Sequence, residues 1–417
     1  MPKTFQIYVL LFSLYWAQGL PVGFMTHALP VILRMQGVSL AHIGGFGLLL
    51  APWAIKILWA PWVDAYGKTR IGHYRSWIIP AQFLTVILLV LLSFLPIQAL
   101  NQPIYLFAFF VSMLCINTIG ATQDIATDAL AVYILKGEQQ HYGNMFQVVG
   151  SRLGFIVGGG AILWSLDWLS WQPTFLILAI LVLLNTLPVL FYREVNQERV
   201  IAPSESKPHL LIQLRGYLSY FSQSVVLIAW LFVLCSIKVA DGLSGPLLKP
   251  LMVDLGLSLS EIGIYVTMLG AVAALLGAGL ASVILHYIKR STALLLFSIF
   301  KILSLGGYLY LARLYRSESK VEHWLIYIIN ALEDMFAAML LVVTLTLVMQ
   351  YSRKAFAGTD FTLQVSIMTL ISGGLYSLSG IIADALGYVD YLTVILVIGV
   401  VLLLPLYYWK YLADRSE

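Results

Sequence analysis

Leu255-Gly256-Leu257-Ser258-Leu259-Ser260-Glu261-Ile262-Gly263 reads as an altered copy of Gln36-Gly37-Val38-Ser39-Leu40-Ala41-His42-Ile43-Gly44, and each stretch opens a long apolar run. A second match lies at nearly the same offset: Gly143, Phe146, Gly158 and Gly159 recur as Gly358, Phe361, Gly373 and Gly374. Either match alone is what Gly- and Leu-rich helices give by chance. Two together, on opposite sides of a polar stretch, predict two copies of one unit in the same orientation.

Composition says what those units are made of. Of 417 residues, 60% are hydrophobic and 11% are charged, whereas an average soluble domain carries about 25% charged residues. This excludes an ordinary cytosolic enzyme, a nucleic-acid binder and a disordered regulator, and makes lipid the solvent for most of the chain. A bilayer core takes about 20 apolar residues per helix. That ruler predicts twelve spans near 5–33, 43–63, 76–98, 104–135, 145–166, 173–192, 223–250, 260–286, 292–314, 323–351, 359–386 and 389–411. The expected fold is an all-α membrane protein of twelve transmembrane helices in two six-helix bundles, residues 1–192 and 223–417. A cytoplasmic linker, 193–222, joins them and contains Pro203 and Pro208. The first span has no small-residue cleavage site and is read as an uncleaved helix.

Loops on the side of the termini hold Lys3, Lys68, Arg70, Arg75, Lys136, Arg193, Lys289, Arg353 and Lys410 among other bases, and opposite loops hold only Arg34, Arg313, Arg316 and Lys320. The positive-inside rule puts both termini and the linker in the cytoplasm. Cys115 and Cys235 sit in apolar runs and are read as buried structural thiols.

A charge at the centre of a spanning helix costs roughly 2.5–3.5 kcal/mol on insertion scales. Ten such charges are nevertheless present: Lys56, Asp124, Asp128, Arg152, Lys238, Asp241, Lys249, Lys301, Glu333 and Asp334. Asn117, Ala121, Asp124 and Asp128 follow helical spacing and form one stripe, with Gln147, Ser151 and Arg152 on the next span. An Asp–Arg pair that only joins two helices is one reading. The other is a proton-coupling site, in which two acids share one base and one acid stays poorly compensated. Glu333 and Asp334 are adjacent and cannot both use the same partner, so they join the proton-coupling candidates. Trp53, Lys56, Gln147, Lys238 and Asp241 are the substrate-binding candidates, with Lys56 between Trp53 and Trp59 suited to an aromatic or conjugated ligand. Lys238 and Asp241, at i and i+3, are also able to neutralise each other. Lys249 lies beside Pro250 near a helix end and is free to reach outward. His27 is read as a helix-packing hydrogen bond. Pro21, Pro30, Pro52 and Pro61 break the first two spans, as in helices that line cavities. The Gly158-Gly159-Gly160 and Gly373-Gly374 runs are expected at close helix contacts.

There is no phosphate-binding Gly-x-x-x-x-Gly-Lys-Ser/Thr loop and no His-Glu-x-x-His helix. The chain is therefore not expected to be an enzyme, to carry a cofactor or metal, or to bind nucleic acid. Its energy source is a gradient: one proton moving through 100 mV gains about 2.3 kcal/mol and supports about a 50-fold substrate gradient.

Trp59-Ala60-Pro61-Trp62-Val63-Asp64 followed by Gly72-His73-Tyr74-Arg75-Ser76-Trp77, with Gln123-Asp124-Ile125-Ala126-Thr127-Asp128, Arg152-Leu153-Gly154 and Lys238-Val239-Ala240-Asp241, resembles the AmpG-related branch of the major facilitator superfamily. These motifs cover most of the chain. The resemblance implies a monomeric bacterial inner-membrane permease that works by alternating access and proton symport. Ala65, His73 and Tyr74 replace arginines of the branch pattern, which leaves Asp64 and Arg75 as the gating candidates. Two subgroups compete. Gln18-Gly19-Leu20-Pro21 and Gly358-Thr359-Asp360-Phe361-Thr362-Leu363-Gln364 look closer to siderophore permeases of the RhtX/FptX kind, which favours import of a siderophore, the ferric complex included. The alternatives are a muropeptide permease of the AmpG kind, which often has two further C-terminal spans, or an exporter of the same fold. A non-transporting receptor or scaffold would have no reason to bear the buried charges.

Overall fold

A computed structural model describes residues 3–29, 32–33, 46–67, 70–166, 169–194, 210–258 and 261–416. The chain is all-helical, with no strand among the described residues. The α-helices are α1 (Lys3–Gly23), α2 (Ala51–Ile55), α3 (Ala60–Ala65), α4 (Arg75–Ser93), α5 (Pro103–Ile134), α6 (Gln139–Phe155), α7 (Ile162–Leu166), α8 (Trp171–Phe191), α9 (Leu210–Ser222), α10 (Val225–Ser236), α11 (Val239–Asp254), α12 (Leu269–Tyr287), α13 (Arg290–Arg316), α14 (His323–Gln350), α15 (Ala357–Leu386), α16 (Tyr388–Val401) and α17 (Leu403–Ser416).

Among the described residues nine helices are long and apolar enough to cross a membrane. The stretches expected as the second, fifth and eleventh spans are helical as well, the second only in short pieces. In that stretch 3₁₀ turns at Phe46–Leu50 and Lys56–Leu58 alternate with α2 and α3. Pro52 and Pro61 stand in the first turns of α2 and α3, where proline's missing N–H is harmless, whereas in one continuous helix each would break a bond and clash. The first copy of the repeat, 36–44, and most of the expected linker, 195–209, lie outside the described residues. The rest of that linker is largely α9, whose Tyr217 and Phe221 are buried.

Polarity is inverted relative to a soluble fold. Along the 32 residues of α5, Asn117, Gln123, Asp124, Thr127 and Asp128 are buried while Ile104 and Phe107 are exposed. At 1.5 Å per residue this helix is about 48 Å long, more than a hydrocarbon core needs. The same inversion corrects the cysteine reading: Cys115 and Cys235 are exposed. Apolar neighbours in sequence mark a lipid-facing side as readily as a protein core.

Two compact units form. The first is Met1–Gln213 with Ser352–Thr362, and the second is Leu214–Tyr351 with Leu363–Glu417. In the first, α1 packs along α6 and α4 lies between α5 and α8, around a core that includes Phe24, Phe109, Trp171 and Phe175. Glycines set the α1–α6 distance: a Cβ at Gly154 would fall 2.6 Å from the Gly19 Cα, and one at Gly158 would fall 1.9 Å from the Leu20 carbonyl oxygen. Backbone contact of this kind between small residues replaces hydrophobic burial where lipid is the solvent. Among the described residues a Cβ at Gly160 or Gly374 would meet nothing within 4 Å, so only part of the glycine runs serves this purpose. Beside the contact both helices widen into π turns, Phe24–Ala28 and Ile156–Ala161, which pack on each other.

In the second unit α12 packs on α14, and α13 touches α14, α16 and α17, around Leu251, Tyr308, Leu311, Tyr391 and Ile395. The described part of the second repeat copy closes as a capping box: Ser258 Oγ accepts the Glu261 N–H at 3.2 Å, and the Glu261 carboxylate accepts the Ser258 N–H at 2.8 Å. Glu261 also receives Tyr327 Oη at 3.1 Å and lies 2.9 Å from His323 Nδ1, which ties this turn to α14. Ser258→Ala is expected to cost about 1 kcal/mol, read as a lower Tm in detergent; an unchanged Tm would dismiss the cap.

Candidate functional site

In the first unit the fourth predicted span, now α5, turns its polar stripe inward. Lys56 sits in the 3₁₀ turn between the two proline-started helices and pairs with Asp124; the two residues are only 5% and 8% exposed. Trp53, three residues earlier, donates its indole N–H to Asn117 Oδ1 at 2.9 Å and holds its ring 5.7 Å from the Lys56 ammonium, within cation–π range. Trp59, three residues later, donates to Thr122 Oγ1 at 3.1 Å. The break in the second span thus plants three side chains on one helix.

Asp128, one turn beyond Asp124, is satisfied differently. It accepts Tyr15 Oη at 2.7 Å and Gln147 Nε2 at 3.2 Å, both neutral donors. Gln18, one turn after Tyr15 on α1, donates to Asp124 Oδ1 at 3.0 Å when its amide is oriented to satisfy both ends. The expected Asp–Arg pair does not form: among the described residues Arg152 has no ion pair with either aspartate, and Lys56 takes its place. Lys56 brings a buried cation to Asp124 from the adjoining broken segment, whereas Arg152 is half-buried on α6. One cation therefore faces two carboxylates. Gln147 joins Asp128 rather than the Trp53–Lys56 pair. Gln18 stood in the sequence only as part of the Gln18-Gly19-Leu20-Pro21 motif and Tyr15 not at all; the signal available was their i, i+3 spacing ahead of Pro21.

The second unit has its own charge cluster. Lys238 and Asp241 pair at 2.6 Å, and Lys301 from α13 bridges Asp241, at 3.3 Å, and Glu333 on α14. Asp334 accepts Asn330 Nδ2 at 3.1 Å, and Asn330 Oδ1 accepts Tyr308 Oη at 3.0 Å. Glu333 and Asp334 thus have different partners. Lys301 links Glu333, but not Asp334, to the Lys238–Asp241 pair. Lys249 is exposed near the end of α11, and the His27 side chain lies outside the described residues.

The gating candidates separate. Asp64 is buried and accepts four bonds: Gly358 N–H at 3.0 Å, Thr359 N–H at 2.7 Å, Thr359 Oγ1 at 2.7 Å and Tyr74 Oη at 3.1 Å. Its carboxylate therefore caps the N-terminus of α15, where free N–H groups and the helix dipole favour an anion. Burial pushes this carboxyl up from its ordinary value while those bonds hold it down. All four neighbours are donors, so the geometry is that of the ionised form. Arg75 makes no ion pair with Asp64 among the described residues. It donates to the carbonyls of Ile71 (2.7 Å), Val189 (3.0 Å) and Leu190 (3.1 Å) and so caps the C-terminal end of α8. Glu194 in turn accepts the Tyr74 and Arg75 N–H groups, each at 3.2 Å, at the start of α4.

The family described as acetyl-coenzyme A transporter 1 matches residues 6–167. An uncharacterised Haemophilus influenzae protein is 26% identical over 378 residues, which cover 89% of this chain and 87% of that one. The anhydromuropeptide permease of Escherichia coli is 27% identical over 303 residues, covering 72% of this chain but only 59% of the permease. A Rickettsia conorii protein named as an AmpG transporter is 23% identical over 400 residues, 93% of this chain and 92% of that one. Among solved structures, the major facilitator superfamily transporter FucP has a TM-score of 0.69 at 15% identity, covering 96% of this chain and 98% of its own. The proton:xylose symporter XylE has a TM-score of 0.71 at 14% identity, covering 98% and 96%. The fold is that of the major facilitator superfamily, and the chain is related to AmpG permeases.

Proposed function

We propose that this chain is a secondary transporter that imports an anhydromuropeptide-like glycopeptide together with protons. It would act as a monomer in a bacterial inner membrane with both termini in the cytoplasm. The observation that carries the reading is the buried cluster of Lys56, Asp124 and Asp128. Two carboxylates with one cation leave Asp128 dependent on neutral donors, Tyr15 and Gln147, and an acid in that position gains most from a proton. Asp128 is the proton carrier in this scheme, and Lys56–Asp124 the pair whose charge balance it adjusts.

The substrate class follows the relatives described above, one of which is an anhydromuropeptide permease. None of them is named a siderophore permease. The stretches that favoured that subgroup have other roles in the fold: Gln18 meets Asp124, Gly358 and Thr359 meet Asp64, and Gln364 accepts the Trp230 indole N–H at 2.7 Å. The muropeptide reading, second in the sequence, becomes the first.

Proteoliposomes with an inward proton gradient test it. Labelled anhydromuropeptide should accumulate and a ferric siderophore should not. Asp128→Asn should abolish accumulation while leaving counterflow exchange intact, because exchange returns the carrier without net proton movement. Siderophore accumulation without muropeptide uptake would reverse the substrate assignment, and normal accumulation by Asp128→Asn would remove the proton role.

A further inference from the structure

The charge cluster of the second unit is unevenly shared. Lys301 lies between two acids, Glu333 and, at 3.3 Å, Asp241. Lys238 has one acid, Asp241 at 2.6 Å, and no other side-chain partner among the described residues. The two cations use different oxygens of Asp241: Lys238 takes Oδ2 and Lys301 takes Oδ1. An ammonium has three donors, so two of those on Lys238 are not used by the protein. With Lys238 turned away, Asp241 would still face a cation. With Lys301 turned away, Glu333 would lose its ion pair.

Lys238 is also the more open of the two. Its side chain is 26% exposed and that of Asp241 20%, against 6% for Lys301. It stands at the break between α10 and α11, near the middle of the apolar stretch Val225–Asp254. That places it roughly 20 Å from either end at 1.5 Å per residue. An ammonium at such depth is too costly against lipid, so its open side faces water or a ligand within the protein.

A single cation that can leave its carboxylate without stranding it suits a monoanion. A phosphate dianion would set two charges against one ammonium, and a neutral ligand would give Lys238 no reason to leave Asp241. We propose that Lys238 is the binding group for a carboxylate of the transported solute. The ammonium leaves Asp241 Oδ2 for the incoming carboxylate, while Lys301 keeps Asp241 paired through Oδ1. Lys238 then determines specificity, and Lys301 is a positioning residue. This rests on the muropeptide reading above, in which the carboxylate belongs to the peptide part of the glycopeptide.

The test compares anhydromuropeptide with the same molecule after its carboxylates are converted to amides. Uptake in proteoliposomes gives a KM for each form, and the rise in Tm that each form causes in detergent reports binding even where a variant does not transport. In wild type the amidated form should have a KM about tenfold or more above that of the acid, the effect of one lost hydrogen bond to a charged group. Lys238→Gln should bring that ratio to about one, and Lys238→Arg, which keeps the charge, should preserve most of it. Lys238→Gln should melt close to wild type because Asp241 retains Lys301, whereas Lys301→Gln should melt lower because it strands Glu333. A wild-type ratio near one, or an undiminished ratio in Lys238→Gln, would overturn the carboxylate site while the muropeptide reading stands. So would a Lys238→Gln variant that melts as low as Lys301→Gln, since Lys238 would then be needed to hold Asp241. A wild-type protein that neither binds nor takes up either form overturns the reading and the site with it.

Discussion

Lys56→Met is expected to destabilise the protein by about 3–5 kcal/mol, the cost of leaving one partner of a buried ion pair unpaired. The abandoned group is Asp124, 8% exposed in a helix whose surroundings are largely apolar. Gln18 would remain as a neutral donor, which softens the loss without supplying charge. Adding Asp124→Asn should return most of the stability, because removing both charges also removes both desolvation penalties. Uptake should stay absent in the double variant, since the charge balance that responds to a proton on Asp128 has gone. Thermal unfolding in detergent, paired with uptake in proteoliposomes, reads both halves of the prediction. A single variant as stable as wild type would mean the pair is not buried as described, and uptake by the double variant would show it to be only a structural tie.

Asp64→Ala is expected to cost about 2–4 kcal/mol, because hydrogen bonds to a charged acceptor are worth about 1.5–3 kcal/mol each but do not add fully. The alanine would strand two backbone N–H groups and two hydroxyls at the start of α15. Asp64→Asn should fall between wild type and alanine: one oxygen survives, and the amide turns a donor toward other donors. Thr359→Val removes one of the four bonds and should cost about 1 kcal/mol. The order of Tm values matters more than their size. If Thr359→Val proved as damaging as Asp64→Ala, the capping role of the carboxylate would be lost.

Much of the fold could be read from the sequence, because lipid imposes a simple rule on long helices. The stretches predicted at 104–135 and 292–314 are α5 at Pro103–Ile134 and α13 at Arg290–Arg316. Proline placement likewise foretold the broken second span, but not the first, where α1 runs unbroken through Pro21 into the π turn at Phe24–Ala28. What could not be read is pairing. Arg152 and Lys56 are equally plausible partners for an aspartate until the helices are assembled, and only tertiary packing decides between them. Asp64 finds backbone N–H groups, which no side-chain pattern announces. Tyr15, which donates to Asp128, escaped notice for a related reason: an uncharged hydroxyl in a spanning helix costs too little to stand out where charges are being counted. The cysteines show the converse error, in which apolar context was taken for burial in protein.

The cap on α15 also bears on how the protein is made. The donors for Asp64 arrive 294 and 295 residues after it, and the first compact unit includes Ser352–Thr362. Domains of a growing chain generally fold in order of synthesis, yet this unit lacks one of its own segments until most of the chain has left the ribosome. Asp64 must wait through that interval with Tyr74 as its nearby donor. A nascent chain halted at the 195–209 stretch would contain every helix from α1 to α8 and still be unfinished.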